Sequence, residues 1–354
     1  MLEIIQSEID KIRPISNKWY EICKKHWDGL TKPLNSMGTF EEIVCQIGAI
    51  RHMEDISLYN KACVVMCADN GIVEEGVTQC DNSITALVTE HLAQGIGNVN
   101  IMGRISDVNV IPVDIGIANP VYHPDIRKMR VMNGTRNFTK GPAMTEDECA
   151  HAMLAGIDLV NELKQSGYDI IAIGEMGIGN TTTSSALASV FLSMDPEEVT
   201  GPGAGLSSEG IQRKIKTIKK GIAVNKPDPN DAFDVLRKLG GLDIAGLVGV
   251  IIGCAVSGLP VILDGFISYA AAMTAVRMAP ETRDYMIASH ISGEPASRKI
   301  VEKLGLKPVI NASMALGEGT GAVALFPLLE MALAVYNMNQ TFEDSGMDAY
   351  EYFK

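Results

Sequence analysis

The sequence lacks an excess of positive charge. Its 30 lysines and arginines face 43 aspartates and glutamates, which gives a formal net charge of −13 over 354 residues. Binding nucleic-acid phosphates requires clustered lysine and arginine in surplus, so we expect no nucleic-acid partner. An acidic protein can still bind a single phosphate group with one lysine and backbone N–H groups.

Cysteine pairs with metal-binding or redox spacing are also missing. The seven cysteines are an odd number and include no C-x-x-C pair. Cys63 and Cys67 lie in the apolar run "ACVVMC", which is typical of a buried strand. We therefore predict reduced thiols, no metal site and a cytoplasmic location.

A secretory leader and a membrane span are not predicted either. The N-terminus "MLEIIQSEIDKIRP" alternates charged and apolar residues, as amphipathic helices do and signal peptides do not. The uncharged run 244–263 is long enough to cross a bilayer, but "GLP" at 258–260 interrupts it. Small residues recur there at every fourth position, which predicts a closely packed core helix before the buried strand "PVILDG". They are Ala245, Gly249, Gly253 and Ser257.

Short apolar runs alternate with helical patterns through the middle of the chain. "ACVVMCADNG", "VNVIPVDIGI", "YDIIAIGEMGIGN" and "LPVILDGF" are typical of strands that end in polar residues or glycine. This order predicts an α/β fold with a mainly parallel, Rossmann-like sheet and helices on both faces. Ligands bind beyond the carboxyl ends of such strands, so the strand ends at 69–71, 114–116, 174–180 and 264–265 predict one shared site.

The two ends of the chain contain helical patterns without strands. We predict that residues 1–50 and 305–354 form a small helical domain. The remaining residues, 51–304, are predicted to form a large α/β nucleotide-binding domain.

Two glycine-rich loops are candidates for phosphate binding. In "IIAIGEMGIGNTTT" the glycines lead into a helix, and free N–H groups at a helix N-terminus bind anions. The loop has neither the G-K-[ST] of a Walker A motif nor G-x-G-x-x-G spacing, and a tight strand–helix turn is the alternative. The second loop, "VTGPGAGLSSEGIQRKI", leads to Lys214, which taken alone is more typical of a surface lysine.

Two further segments carry chemically active side chains. "ASHISGEPAS" lacks the nucleophile elbow G-x-S-x-G, so a hydrolase triad is not favoured. Ser292 is better explained as a hydrogen-bond donor to a phosphate group. "LGEGTGA" places Glu318 between glycines at a helix entrance, where a capping charge and a catalytic base both explain it. Together with Glu175 in the first glycine loop, it suits proton transfer or sugar-hydroxyl binding.

Seven segments occur in an order that resembles one known family. They are "KPLNSMG", "ADNGIVEEGV", "GTRNFTKGPAMT", "GEMGIGNTTTSSA", "VILDGFISYAA", "SHISGE" and "LGEGTGAVALFPLLE". Together they resemble the nicotinate-nucleotide:dimethylbenzimidazole phosphoribosyltransferase family of cobamide biosynthesis. The resemblance implies transfer of the phosphoribosyl group of nicotinate mononucleotide to an aromatic lower-ligand base, with inversion at C1′. It also implies a dimer that needs no metal or other cofactor.

The resemblance also implies roles for individual residues. Glu318 matches the family's general base, and Glu175 supports it. Thr78, Leu316 and Gly317 match the wall around the incoming ring. The nucleotide and phosphate site is implied at Gly177, Ile178, Gly179, Asn180, Thr181, Gly203, Lys214 and Ser292.

Two positions depart from the family pattern. Asn70 stands where the family usually has histidine, and Leu87 stands where it has a glutamine beside the incoming base. Leucine cannot hydrogen-bond a ring nitrogen, and leaving a buried partner unpaired costs about 1–3 kcal/mol. We therefore expect a phenolic acceptor, phenol or p-cresol, joined through an O-glycosidic bond. Dimethylbenzimidazole is the alternative acceptor. A homodimer, a heterodimer with a homologous subunit, and a non-catalytic partner subunit remain open.

Overall fold

A six-stranded sheet organises the chain, which the computed structural model describes over residues 1–352. Its order is β3-β2-β1-β4-β5-β6, and all strand pairs are parallel, so the predicted α/β fold is confirmed. The order reverses between β1 and β4, and ligands bind at such a reversal. The strands are β1 (Lys61–Ala68), β2 (Val108–Gly116), β3 (Arg127–Lys128), β4 (Ile170–Met176), β5 (Val261–Leu263) and β6 (Met286–Ala288).

The side chains of β1 alternate between two buried cores. Val64 and Met66 face one hydrophobic cluster, whereas Cys63, Val65 and Cys67 face the other. Because helices cover both faces of a parallel sheet, its strands are apolar throughout. This explains the uninterrupted run "ACVVMC" and the burial of both of its cysteines.

Fifteen α-helices and two short 3₁₀ helices, Gly71–Glu75 and Pro280–Tyr285, surround the sheet within residues 1–352. The first half of the chain contributes α1 (Leu2–Ile9), α2 (Asn17–Gly29), α3 (Thr39–Arg51), α4 (Ser83–Ala93), α5 (Asn98–Gly103), α6 (Glu146–Gln165) and α7 (Asn180–Leu192). The second half contributes α8 (Pro196–Val199), α9 (Ser208–Asn225), α10 (Ala232–Leu239), α11 (Leu242–Ser257), α12 (Phe266–Met278), α13 (Pro295–Leu304), α14 (Thr320–Met338) and α15 (Phe342–Ser345).

The small-residue face of α11 packs against α6. A methyl group on Gly249 would lie closer than 3.0 Å to the Met153 carbonyl oxygen, so the two backbones approach to within a distance that only glycine allows. Two turns further along, Ser257 Oγ donates to Asn161 Oδ1 at 2.9 Å. The predicted core helix and the strand that follows it are both present.

Helices from the two chain ends meet on one face of the sheet. Trp27 of α2 packs edge-on against Tyr336 of α14, and both belong to the cluster that includes Cys63 of β1. Helix α1 packs instead against α6 and α11 on the opposite face. The division into a small domain (1–50 and 305–354) and a large one (51–304) stays a prediction.

Helix α14 is the one helix within residues 1–352 that is long and apolar enough to cross a bilayer. Half of it is buried inside the protein, where it contacts α3, α5, β4 and β5. Such contacts are those of a core helix in a folded domain. The cytoplasmic location stays a prediction.

Candidate active site

A cavity opens at the carboxyl ends of β4 and β5. Its walls come from the segment after β1, the glycine loop after β4, the segment after β5, the loop before α9 and the loop before α14. The lining includes Val77, Thr78, Gln79, Cys80, Val88, Glu175, Gly177, Asn180, Thr181, Gly203, Asp264, His290, Ser292, Glu294, Leu316, Gly317 and Glu318. Segments far apart in the sequence therefore meet in one site.

Glu318 reaches this cavity through an unusual backbone conformation. It has φ +60°, the left-handed region that L-residues seldom adopt, and the glycines on both sides also have positive φ. The loop lies directly on β4, because a methyl group on Gly174 would come closer than 3.0 Å to Gly319 N. Close packing of two backbones thus fixes the position of the glutamate.

The Glu318 carboxylate is poorly solvated. Its Oε2 is buried and has no hydrogen-bond partner among residues 1–352. Burial raises the pKa of this carboxyl above that of an ordinary glutamate, and the negative charge of Asp264 raises it further. Hydrogen-bonding groups of Asn98 and Val99, at the start of α5, lower the pKa and offset part of this rise. A half-buried carboxylate that lines a cavity and has an unpaired oxygen is suited to accept a proton.

Glu175 lies opposite, at the end of β4. A methyl group on Gly317 would come closer than 3.0 Å to Glu175 Oε1, so the two glutamate-bearing loops are in contact. Burial raises the pKa of Glu175 to about 8, and the charge of Asp243 also raises it. The structure therefore brings together the two glutamates that the sequence placed in separate loops.

Asp264 supports the loop that carries Glu318. Its side chain accepts N–H groups from Gly321 at 2.7 Å and Ala322 at 3.2 Å, which caps the N-terminus of α14. His290 Nδ1 is 4.0 Å from the same carboxylate, and burial lowers the pKa of the imidazole. Asp264, and not Glu318, therefore provides the side-chain cap of α14.

Lys214 is fully buried, with none of its surface exposed. Its Nζ donates to Thr181 Oγ1 at 2.8 Å and to the Gly201 carbonyl oxygen at 3.3 Å. Burial lowers the pKa of this lysine to about 8. The interpretation of Lys214 as a surface lysine is therefore wrong; the side chain joins the two glycine loops.

The neighbouring groups form a concave region suited to an anion. Helix α7 begins at Asn180 beside Gly179, which has φ +95°, and Thr181 in its first turn lines the cavity. The N–H groups of Asn180 and Thr182 donate to the carbonyl oxygens of Gly177 and Gly179. Gly203 N donates to Glu294 Oε1 at 3.0 Å, and Ser292 lines the same wall. Gly177, Ile178, Gly179, Asn180, Thr181, Gly203 and Ser292 all line the cavity, and Lys214 lies directly behind it.

The ring-binding wall differs from the sequence prediction at one residue. Thr78, Leu316 and Gly317 line the cavity, but Leu87 does not belong to the lining and is 49% exposed. Its neighbour Val88 lines the cavity instead. Adjacent residues of a helix point about 100° apart, so α4 turns Val88 inward and Leu87 outward.

The strand ends do not all open into this cavity. Asp114 Oδ2 accepts a hydrogen bond from Arg130 Nη2 at 2.7 Å, and Asp69 Oδ2 accepts one from the backbone N–H of Ala118 at 2.7 Å. Neither aspartate lines the cavity. The single site predicted for four strand ends is therefore wrong for β1 and β2, where the carboxylates hold loops in place.

Sequence reasoning missed several residues of the site. Asp243 contacts the Asn180 side chain from the start of α11, and Gln79, Cys80 and Val88 line the cavity. The one available signal was "GGLD", a carboxylate that follows two glycines at the start of an uncharged helix. The segment "GTRNFTKGPAMT" acts as a brace outside the site, since Thr139 Oγ1 donates to Glu75 at 2.7 Å.

Comparison with known proteins identifies the family. A family model described as "Phosphoribosyltransferase" matches residues 12–347. The chain belongs to this phosphoribosyltransferase family. The resemblance drawn from the seven segments is thereby confirmed, and the protein is an enzyme of the pentosyltransferase class.

Similar phosphoribosyltransferases span the whole chain. The nicotinate-nucleotide–dimethylbenzimidazole phosphoribosyltransferase of Ruminiclostridium cellulolyticum is 43% identical over 346 residues, covering 98% of each chain. The enzyme of the same name from Escherichia coli is 38% identical and covers 95% of this chain and 94% of its own. The crystal structure of the Thermus thermophilus enzyme superposes with a TM-score of 0.88 at 34% identity, covering 95% of this chain and 100% of that one.

Proposed function

We propose that this phosphoribosyltransferase moves the 5-phosphoribosyl group of nicotinate mononucleotide to an aromatic lower-ligand base of cobamides. The observation that carries the proposal is the Glu318 carboxylate, whose buried Oε2 is unpaired within residues 1–352 and which lines the same cavity as the anion-binding region around Thr181 and Lys214. The names of the relatives in Ruminiclostridium cellulolyticum and Escherichia coli support this choice of nucleotide.

The phosphate is bound by the N-terminus of α7 and by Lys214. Backbone N–H groups at a helix N-terminus and a buried ammonium both favour an anion, and the low local dielectric strengthens their attraction. Thr181 and Ser292 add hydroxyl donors on the cavity wall. Binding of a phosphate would also compensate the charge of Lys214, which bonds only neutral oxygens in the chain itself.

Glu318 then acts as the general base. It takes the proton from the acceptor's N–H or O–H group, and the freed electron pair attacks C1′ of the ribose. The bond between C1′ and the pyridine nitrogen breaks, and its electron pair stays on nicotinate. Attack from the face opposite nicotinate inverts the configuration at C1′. A positioned base contributes about 10²–10⁴-fold to such a step.

The acceptor of this proposal is a benzimidazole, as in the names of the similar enzymes. A phenolic acceptor is the second candidate. The apolar side chains of Val88 and Leu316 line the cavity together with Glu318 and suit a phenol ring as well. A phenol O–H has a pKa near ~10, so its nucleophilicity depends strongly on the base. The argument from Leu87 does not enter, because that side chain points away from the cavity.

Nicotinate release tests the proposal directly. The purified protein is incubated with nicotinate mononucleotide and with dimethylbenzimidazole, p-cresol or both in competition, and nicotinate and the α-nucleotide are quantified. Turnover that persists after dialysis against EDTA supports the metal-free reaction. No turnover with any acceptor, alone or with a homologous subunit added, would refute the proposed activity.

The proposal includes a homodimer. Ile101 of α5, Ile105 in the turn that follows it and Met331 of α14 are exposed apolar side chains, and the two helices contact each other. Sedimentation velocity should give a dimer, and Ile105→Glu should give a monomer. A monomeric wild type that becomes active only with a homologous subunit would support the heterodimer. Unchanged activity of Glu318→Gln in that complex would identify this chain as the non-catalytic partner.

A further inference from the structure

One amide group links two buried carboxylates behind the cavity wall. Asn180 Nδ2 donates to Glu175 Oε2 and, at 3.0 Å, to Asp243 Oδ2. A primary amide nitrogen carries two hydrogens, so it can serve both acceptors at once. Asp243 is completely buried, and Glu175 is exposed only at its cavity side.

The backbone around Asp243 leaves this carboxylate no room to move. A methyl group on Gly177 would lie closer than 3.0 Å to Asp243 Oδ2, and one on Gly241 closer than 3.0 Å to Oδ1. Oδ1 also accepts the N–H of Ile244 at 3.0 Å. Two glycines therefore hold Asp243 against the Asn180 amide.

The charges that face Glu175 are all negative. Asp243 comes from α11, Asp264 from the end of β5 and Glu318 from the loop before α14, and each raises the pKa of Glu175 beyond the effect of burial. The cavity lysine, Lys214, bonds to Thr181 and Gly201 instead. Four carboxylates without a bonded cation favour a proton on at least one of them.

We propose that Asp243 is a positioning residue for the phosphoribosyl transfer, which holds Glu175 through the Asn180 amide with Oε2 as an acceptor and a proton on Oε1. The inference rests on the proposed function, because the positioning matters only if the protein transfers a phosphoribosyl group. The titration that tests it needs no substrate and no turnover. Glu175 Oε1 is the oxygen nearest Gly317, on the cavity side. A neutral Glu175 donates a hydrogen bond to the anionic nucleotide, whereas an ionised one would repel both the nucleotide and the Glu318 base.

Infrared titration of the full-length protein without substrates measures the proton on Glu175. The band of its protonated carboxyl is assigned by its loss in Glu175→Gln. In the wild type the band should persist until the pH rises through about 8. Asp243→Asn removes a negative charge and should move the midpoint down by about one pH unit or more. Asn180→Ala removes a hydrogen-bond donor that stabilises the ionised form of Glu175 and should move the midpoint up. The two variants are therefore expected to shift the midpoint in opposite directions.

Activity gives the functional readout. Asp243→Asn should lose about twofold in turnover between pH 6 and pH 7, since a midpoint near 7 roughly halves the protonated fraction of Glu175 over that interval, whereas the wild type should lose little. Asp114→Asn is the matched control, because it neutralises a buried strand-end carboxylate outside the cavity and should leave this pH ratio unchanged. A Glu175 that is ionised in the wild type at pH 7, or a midpoint that neither variant moves, would overturn the inference. Absence of turnover with a normal titration would instead refute only the proposed function.

Discussion

Carboxylates follow β1 and β2 on one half of the sheet edge, and β4 and β5 on the other. On the first half, Asp114 is paired with Arg130, and Asp69 accepts a backbone N–H. On the second half, Glu175 and Asp264 bond only neutral donors, and burial raises the pKa of both. The same residue types thus stabilise loops on both halves, and only on the second half do they also line the cavity.

Compensation of charge separates Asp114 from Glu175 and Asp264, whereas Asp69 has no bonded cation and burial raises its pKa as well. A buried carboxylate with a cation beside it forms an ion pair that fixes the chain, as Asp114 does with Arg130. A buried carboxylate without a cation holds its proton more tightly, and proton-transfer sites use such groups. An acidic residue at a strand end is therefore insufficient evidence of a functional site. The groups that bond its carboxylate must also be known.

The largest effect is expected at Glu318. Glu318→Gln keeps the side-chain size but removes the base, so kcat should fall about 10²–10⁴-fold while KM for the nucleotide changes little. Steady-state nicotinate release measures both constants. Retention of more than a tenth of wild-type kcat would contradict the assignment of Glu318 as the base.

The next effect is expected at Lys214. Lys214→Met should reduce kcat/KM for the nucleotide by about 10- to 150-fold, which corresponds to about 1.5–3 kcal/mol for a hydrogen bond to a charged group. Lys219→Met, on the exposed side of the same helix, is the control and should change it little. In the wild type, activity should fall as the pH rises through about 8, because the buried ammonium loses its proton there.

On the other half of the edge the effect should fall on stability alone. Asp114→Asn breaks the pair with Arg130 and should lower the free energy of unfolding by about 1–3 kcal/mol. Urea denaturation measures the loss, and kcat near pH 7 should stay within the error of the assay. A large fall in kcat would show that the two halves are less separate than their hydrogen bonds indicate.

The smallest effect is expected at Leu87. Since its side chain is half exposed and outside the cavity, Leu87→Gln should change the ratio of dimethylbenzimidazole to p-cresol use by less than about twofold. Val88→Gln, one residue further into the wall, should change it more. Competition between the two acceptors measures both ratios, and a large shift for Leu87→Gln would restore the argument made from the sequence.

The sequence was sufficient for four of the six strands and for most of the motif residues that line the cavity, but not for the short strands β3 and β6, which have two and three residues. Parallel strands are apolar on both faces, so the runs "ACVVMC" and "YDIIAI" can be recognised as strands from the sequence. The regularly spaced small residues of α11 likewise predict its close packing. The burial of Lys214 could not be predicted, because it results from two loops that fold over one amphipathic helix. Whether Leu87 or Val88 faces the cavity depends on the rotation of α4 about its axis, which the sequence does not specify. The role of Asp243 could not be predicted either, because it depends on a contact with Asn180 that is distant in the sequence.

The left-handed backbone at Glu318 has a consequence for how this enzyme can evolve. An L-residue there costs about 1–2 kcal/mol that glycine would not, so the proposed base is kept at the expense of stability. Glu318→Gly should therefore raise the midpoint of urea unfolding while abolishing turnover. One nucleotide change converts a glutamate codon to a glycine codon, and a gene copy released from selection for catalysis has a short route to a more stable, inactive subunit.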